Sequence, residues 1–300
     1  MNGNSTSHFS KRLTTIVSVM TVCIGLFAAS QSDAAGHWTH EPTGARVVLD
    51  CPFNNGSSGC GIFDVYSSAG SASDSSAPVS PNGVATGTLP ANQAQGGMQL
   101  VYNWGNNGTT REAFVGLTWK ANPDYEGRPV GNKMFFMLGP EAGGVFLFGV
   151  DALDGGCEQL IWGTNTLKYD NYHICAGSLV CYPNVNPNAA LMCRGKWYKI
   201  EVYFKSSTTA TSRDGVWRWW VNDVLVGNYT TANWNPAGQN EWQWNNTWDG
   251  SGDMQNLPRA SDWIHNLDHL HISIPNGAGS STDNPPGPPA APAIRIVTTP

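Results

Sequence analysis

The stretch KWYKIEVYFK, residues 196–205, alternates with a period of two. Tyr198, Ile200, Val202 and Phe204 fall on one side, and Trp197, Lys199, Glu201, Tyr203 and Lys205 on the other. Side chains of a strand project alternately to opposite faces, so one apolar and one mixed side predict a half-buried strand of an antiparallel sheet. Working outward, GVWRWWVNDVLVGNYT reads as a hairpin, with strands near 215–221 and 224–229 around Asn222-Asp223. Its first strand sends Trp217, Trp219 and Val221 one way and Val216, Arg218 and Trp220 the other. DHLHISI sets His269, His271 and Ser273 against Leu270, Ile272 and Ile274. EAFVGLTWK, NKMFFML and GGVFLFGV are continuously apolar, as strands covered on both faces would be. Gly or Pro interrupts almost every window that could hold a long helix. The expectation is an all-β, two-sheet antiparallel β-sandwich.

Composition agrees. Charged residues make up 13% of the chain, with 34 Gly and 13 Trp in 300 residues, which suits a many-turned extracellular β protein. A net charge of -6 and the lack of a basic patch argue against nucleic acid as a partner. Lys11 and Arg12 precede an apolar run from Leu13 to Ala29 and then SQSDAAG, the layout of a secretory signal peptide. Thr14, Thr15, Ser18 and Thr21 interrupt that run, so a lasting membrane span is disfavoured. The chain therefore divides into a signal peptide at 1–35, a folded domain at 36–275, and a Gly/Ser/Pro-rich tail at 276–300. The mature protein is expected outside the cytoplasm, extracellular or periplasmic, as a monomer. Its six cysteines, Cys51, Cys60, Cys157, Cys175, Cys181 and Cys193, read as disulfides in that setting. Proximity favours Cys51 with Cys60 and Cys175 with Cys181, leaving Cys157 for Cys193.

The succession FVGLTWKANPDYEGRPVGNKMFFM, GKWYKIEVYFK, DGVWRWWVNDVLVGNYT, EWQWNNTWDGSGD and NLDHLHIS resembles the concanavalin A-like lectin/glucanase superfamily. It is most similar to secreted proteins related to jelly-roll polysaccharide lyases. The resemblance implies a jelly-roll topology, with the concave sheet forming a groove for a glycan chain.

Retaining glucanases of that superfamily place two glutamates on one strand, because acid and nucleophile must flank one sugar. Here Glu41, Glu112, Glu126, Glu141, Glu158, Glu201 and Glu241 are too scattered for that, so hydrolysis is the lesser reading. A lyase needs a base and a group to neutralise the uronate carboxylate as the enolate forms. Candidate bases are Tyr203, His269 and His271; candidate neutralising groups are Lys199 and Arg218, with Asn132 and Lys133 as further substrate contacts. Each could equally be part of an ordinary solvated strand face. Indoles offer flat apolar surfaces to sugar rings but also make the largest core contributions. In EWQWNNTWDGSGD, Trp242 and Trp244 share parity, Glu241 and Gln243 oppose them, and Trp248 has a loop-like context. Trp219, Trp244 and Trp248 are the expected glycan contacts. Asp249 and Asp253 could hold a structural calcium ion, although an Asx turn serves the same pattern. No cofactor is required by this reading. The expected partner is a polysaccharide, bound or cleaved by β-elimination; a non-catalytic binding or surface-adhesion module is the alternative.

Overall fold

A computed structural model describes residues 38–56, 60, 64–67, 69–91, 95–103, 109–125, 132–138, 146–152, 157–164, 174–176, 179–182, 184–233, 237–249 and 261–276. For 64–67, 95–98, 132–133, 146–152, 157–164, 174–176, 179–182 and 245–249 only the backbone is described. Among these residues seventeen strands follow in order: β1 (Arg46–Cys51), β2 (Asp64–Ser67), β3 (Ala69–Ala72), β4 (Val84–Leu89), β5 (Gln95–Asn103), β6 (Glu112–Ala121), β7 (Asn132–Leu138), β8 (Phe146–Ala152) and β9 (Cys157–Thr164). Then come β10 (Ile174–Ala176), β11 (Leu179–Tyr182), β12 (Leu191–Cys193), β13 (Tyr198–Lys205), β14 (Gly215–Val221), β15 (Val224–Ala232), β16 (Glu241–Asp249) and β17 (Trp263–Ile274). No described helix is long and apolar enough to cross a membrane.

Two sheets result. The eight-stranded sheet runs β15-β14-β13-β6-β17-β4-β3, with β1 also on β17; the nine-stranded sheet runs β10-β11-β9-β8-β7-β16-β5-β2, with β12 on β9. The pairings are antiparallel throughout, beginning with β13 on both β6 and β14. Tyr198, Ile200, Val202 and Phe204 of β13 enter the same hydrophobic cluster as Trp242 and Trp244 of β16, so the two sheets face each other across one core. The period-two reading of residues 196–205 thus identified the inner face of β13 correctly. The hairpin was also legible: Asn222 (φ 47°) and Asp223 (φ 66°) both take positive φ, as a tight turn between right-twisted strands demands.

The indoles depart from expectation. Trp219 and Trp244, expected at a glycan surface, are 0% and 1% exposed and lie in the core. Trp219 shares parity with Val221, whose face turns toward the other sheet. Its ring lies against Gly227, its cross-strand partner on β15, where any Cβ would collide with it. Its Nε1 donates to Asn184 Oδ1 at 3.1 Å, so the indole's polar atom is satisfied inside. Trp248 is not in a loop: EWQWNNTWD forms β16, paired with β5 from Glu241↔Asn103 to Asp249↔Gln95. The side chains of Trp248, Asp249, Asn132 and Lys133 lie outside the described residues, as does all of Asp253.

Cys51 and Cys60 are joined by a disulfide. Cys193 is also disulfide-bonded, and the residue opposite it in register is Cys157 of β9. Cys175 and Cys181 stand on the neighbouring strands β10 and β11, with side chains outside the described residues.

Candidate functional site

The outer face of the eight-stranded sheet gathers all five expected catalytic residues, and each is engaged by neighbours within the protein. Register aligns one row across five strands: Asp50 of β1 opposite His271 of β17, then Gly116 of β6, Glu201 of β13 and Trp220 of β14. The segment before β1 lies over this row. Trp38 occupies the space above Gly116, where a Cβ would stand 2.5 Å from Cδ2 of the indole. Only glycine permits that approach. The Trp38 ring centroid is 5.1 Å from that of His269 and 5.8 Å from that of His271. Two residues on, the His40 ring stacks on Trp220 at 4.3 Å and 7°. His40 donates its backbone N–H to Glu201 Oε1 at 3.0 Å, and its Nδ1 lies 2.9 Å from Oε2. A buried carboxylate needs such partners, and Glu201 is fully buried. Glu41 Oε1 reaches His271 Nε2 at 2.9 Å.

His269 and His271 do point the same way, as the sequence predicts, but as a buried pair. Their side chains are 0% and 6% exposed. His269 Nε2 is 2.7 Å, and His271 Nδ1 3.1 Å, from Asp50 Oδ1. These ties hold the Asp50 carboxyl well below the usual carboxylate range, the His269 bond contributing most. A polymer cannot reach either imidazole past Trp38. The expectation of accessible bases on β17 is therefore corrected.

Tyr203 is engaged in a different way. Its hydroxyl donates to Glu112 Oε1, and burial together with that bond pushes its pKa up, whereas a tyrosinate base needs it lowered. Lys199 is engaged by Asp223, by Thr39 Oγ1 at 3.1 Å and by Glu201 at 3.6 Å. Arg218 donates through Nε to Asn228 Oδ1 at 2.9 Å on β15. The five residues sit on one sheet face, and each makes at least one hydrogen bond or ion pair to a neighbour within the protein.

One group of metal-ligand type occurs among the described residues: His40, Glu201 and Asp223, with donor atoms within 4.8 Å of one another. The Lys199 ammonium contacts both carboxylates. It supplies the positive charge an ion would bring, so the group is a salt-bridge cluster.

The outer face of the nine-stranded sheet is arranged differently. On β16, Glu241 and Gln243 point away from the buried Trp242 and Trp244, as their parity predicts, and both are part-exposed. Gln99 of β5 donates through Nε2 to Gln243 Oε1 at 2.6 Å, and Gln243 in turn donates to Glu241. Val101 and Phe136, the cross-strand partners of Gln243, share this side and are recessed at 8% exposure each. A line of amide and carboxylate groups thus crosses two strands beside an apolar floor. Gln99 was missed by the sequence reading. Its alternation with Leu100 was visible, but nothing local paired it with Gln243, distant in sequence.

No protein-family model matches the chain, and no curated protein does. Solved structures do. An endo-β-1,4-glucuronan lyase from the fungus Trichoderma reesei superposes with a TM-score of 0.53 at 12% identity, covering 72% of this chain and 92% of that one. An alginate lyase from a Chlorella virus gives 0.53 at 12%, covering 76% and 99%. A marine alginate lyase from Aplysia kurodai gives 0.51 at 11%, covering 77% and 100%. At such identities the likeness concerns architecture: this chain folds as the jelly-roll β-sandwich that these polysaccharide lyases share.

Proposed function

We propose that this is an exported carbohydrate-active jelly-roll protein that holds a polysaccharide chain on the outer face of its nine-stranded sheet. The observation that carries the reading is the Gln99–Gln243–Glu241 line beside Val101 and Phe136. An amide offers a donor and an acceptor together, which suits neighbouring sugar hydroxyls. Recessed apolar side chains accept the C–H face of a pyranose. The fold relatives act on glucuronan and alginate, which supports a glycan as the ligand class. Cleavage by β-elimination remains part of the proposal only through groups of this same face. The bases of the other sheet are buried or hydrogen-bonded as donors.

The experiment runs the protein into gels cast with alginate, glucuronan, pectin or xylan, while ultraviolet absorbance follows any unsaturated uronate. Retarded migration in at least one gel, weakened several-fold by Gln243→Ala, is the expected result. A rising absorbance abolished by the same substitution would assign elimination to this face. No retardation in any gel, or retardation indifferent to Gln243, would remove the assignment.

A further inference from the structure

His271 presents both ring nitrogens to carboxylates: Nδ1 to Asp50 Oδ1 at 3.1 Å and Nε2 to Glu41 Oε1 at 2.9 Å. A neutral imidazole has one N–H and one lone pair, so one contact would then set a lone pair against a carboxylate oxygen. Only the imidazolium donates to both. Asp50 belongs to β1, and Glu41 to the segment that carries Trp38 and His40 over the sheet. A single proton on His271 therefore joins three pieces of chain.

The other groups around this ring are accounted for. On its own strand, His269 contacts the same Asp50 oxygen. From β6 the residues at this row and its neighbours are Phe114, Gly116 and Thr118, none of which titrates. Trp38 caps the ring, and the adjacent His40 is directed to Glu201. Glu201 stands across Gly116, with Lys199 at 3.6 Å.

We infer that residues 38–41 form a proton-controlled strap, held on the eight-stranded sheet while His271 carries both ring protons and loosened when one passes to the medium. Two independent ends fix it: Glu41 on His271, and His40 on Glu201 and Trp220. The first end depends on the His271 proton; the second holds through the His40 backbone N–H on Glu201 Oε1 and the stack on Trp220, neither of which needs that proton. Loosening lifts Trp38 from Gly116 and opens a hollow bounded by imidazole and carboxylate, which in the closed state no polymer reaches.

The direction of the switch follows from the ring's surroundings. Burial alone would lower the His271 pKa; the bonds to Asp50 and Glu41 outweigh it and raise the value above that of an ordinary imidazole. A raised folded-state value means that the contribution is complete below about 6.5, and is lost as pH rises through the folded value. Asp50, held low by the two histidines, stays ionised across that range.

Hydrogen–deuterium exchange by mass spectrometry on the full chain tests this, following a peptide that contains Trp38–Glu41 from mildly acidic to mildly alkaline pH, with rates corrected for intrinsic exchange. A peptide from β13 serves as the internal control for folding. The wild type should lose strap protection by roughly ten- to a hundredfold on the alkaline side, the factor expected for one charge-assisted hydrogen bond. His271→Gln should exchange fast at every pH and lose the step. Glu41→Gln, a change on the part-exposed strap that leaves the sheet intact, should lower protection at acid pH and shrink the step. Flat strap protection in the wild type, or an unchanged step in either variant with the β13 peptide still protected, would overturn the inference.

Discussion

Replacing Gly116 by alanine puts a methyl group where the Trp38 ring now lies, 2.5 Å from Cδ2, while the inner face of β6 is left untouched. The neighbouring inward residues Val115 and Leu117 are 0% and 1% exposed, so β6 cannot retreat into the core. The indole must move instead. Trp38 is 7% exposed and buries on the order of 200 Å², a ceiling of about 5 kcal/mol at the usual coefficient. His40 and Glu41 keep their own ties, so part of this packing survives and the expected cost of Gly116→Ala is about 2–4 kcal/mol. The cost should vanish in a Trp38→Ala background. There the alanine at 116 meets open space and should even stabilise slightly, by about 0.5 kcal/mol, through the unfolded chain. Urea denaturation of the four proteins of this cycle, followed by far-ultraviolet circular dichroism, reads the coupling directly. If Gly116→Ala costs the same whether residue 38 is tryptophan or alanine, the seating of Trp38 on Gly116 is wrong.

Two further outcomes follow from the same geometry. His265 is wholly buried, accepts from Trp119 Nε1 through Nδ1 at 2.9 Å, and has its pKa pushed by burial from 6.5 down to about 3. Below about pH 6.5 the unfolded chain takes up a proton that the folded one refuses, so stability should fall with acid, by at most on the order of 5 kcal/mol by pH 3; urea midpoints across that range should fall less steeply in His265→Gln, and equal slopes would count against it. Removing the Cys51–Cys60 disulfide, which closes a separation of nine residues, should lower stability by about 2.5 kcal/mol on loop-closure grounds; a Cys51→Ser/Cys60→Ser double variant with an unchanged urea midpoint would deny the bond that role.

How much of this was readable beforehand depends on the kind of information each element needs. Alternation in 196–205, at 215–221 and at 268–274 decided which side chains share a face, and those assignments hold residue by residue. Alternation does not say which residues of the other sheet, or which distant segments, cover a face. Trp219 illustrates the gap: its parity with Trp217 and Val221 was plain, yet it lies in one hydrophobic cluster with Trp242 and Trp244 of the other sheet. His269 and His271 show a second gap. An outward-facing polar pair ordinarily meets solvent, but here a short segment more than two hundred residues earlier folds over it, with Glu41 bonded to His271 across 230 positions. Trp38, His40 and Glu41 carry no periodicity that announces such a covering. The context of Trp248 misled for a third reason: Asn, Asp and Gly discourage strands locally, while pairing of β16 along β5 overrides that preference.

The position of β17 has a consequence for assembly. This twelve-residue strand has β6 along one edge and shares its other edge between β1 and β4. The β15-β14-β13-β6 group, the β4-β3 pair and β1 are therefore joined to one another only through a segment that leaves the ribosome after all of them. Until its residues 263–267 have emerged β4 lacks a partner on that edge, β1 waits for residues 270–274, and without β17 the two halves of the sheet stay unconnected. Contacts of such long sequence separation make for slow acquisition of the native state.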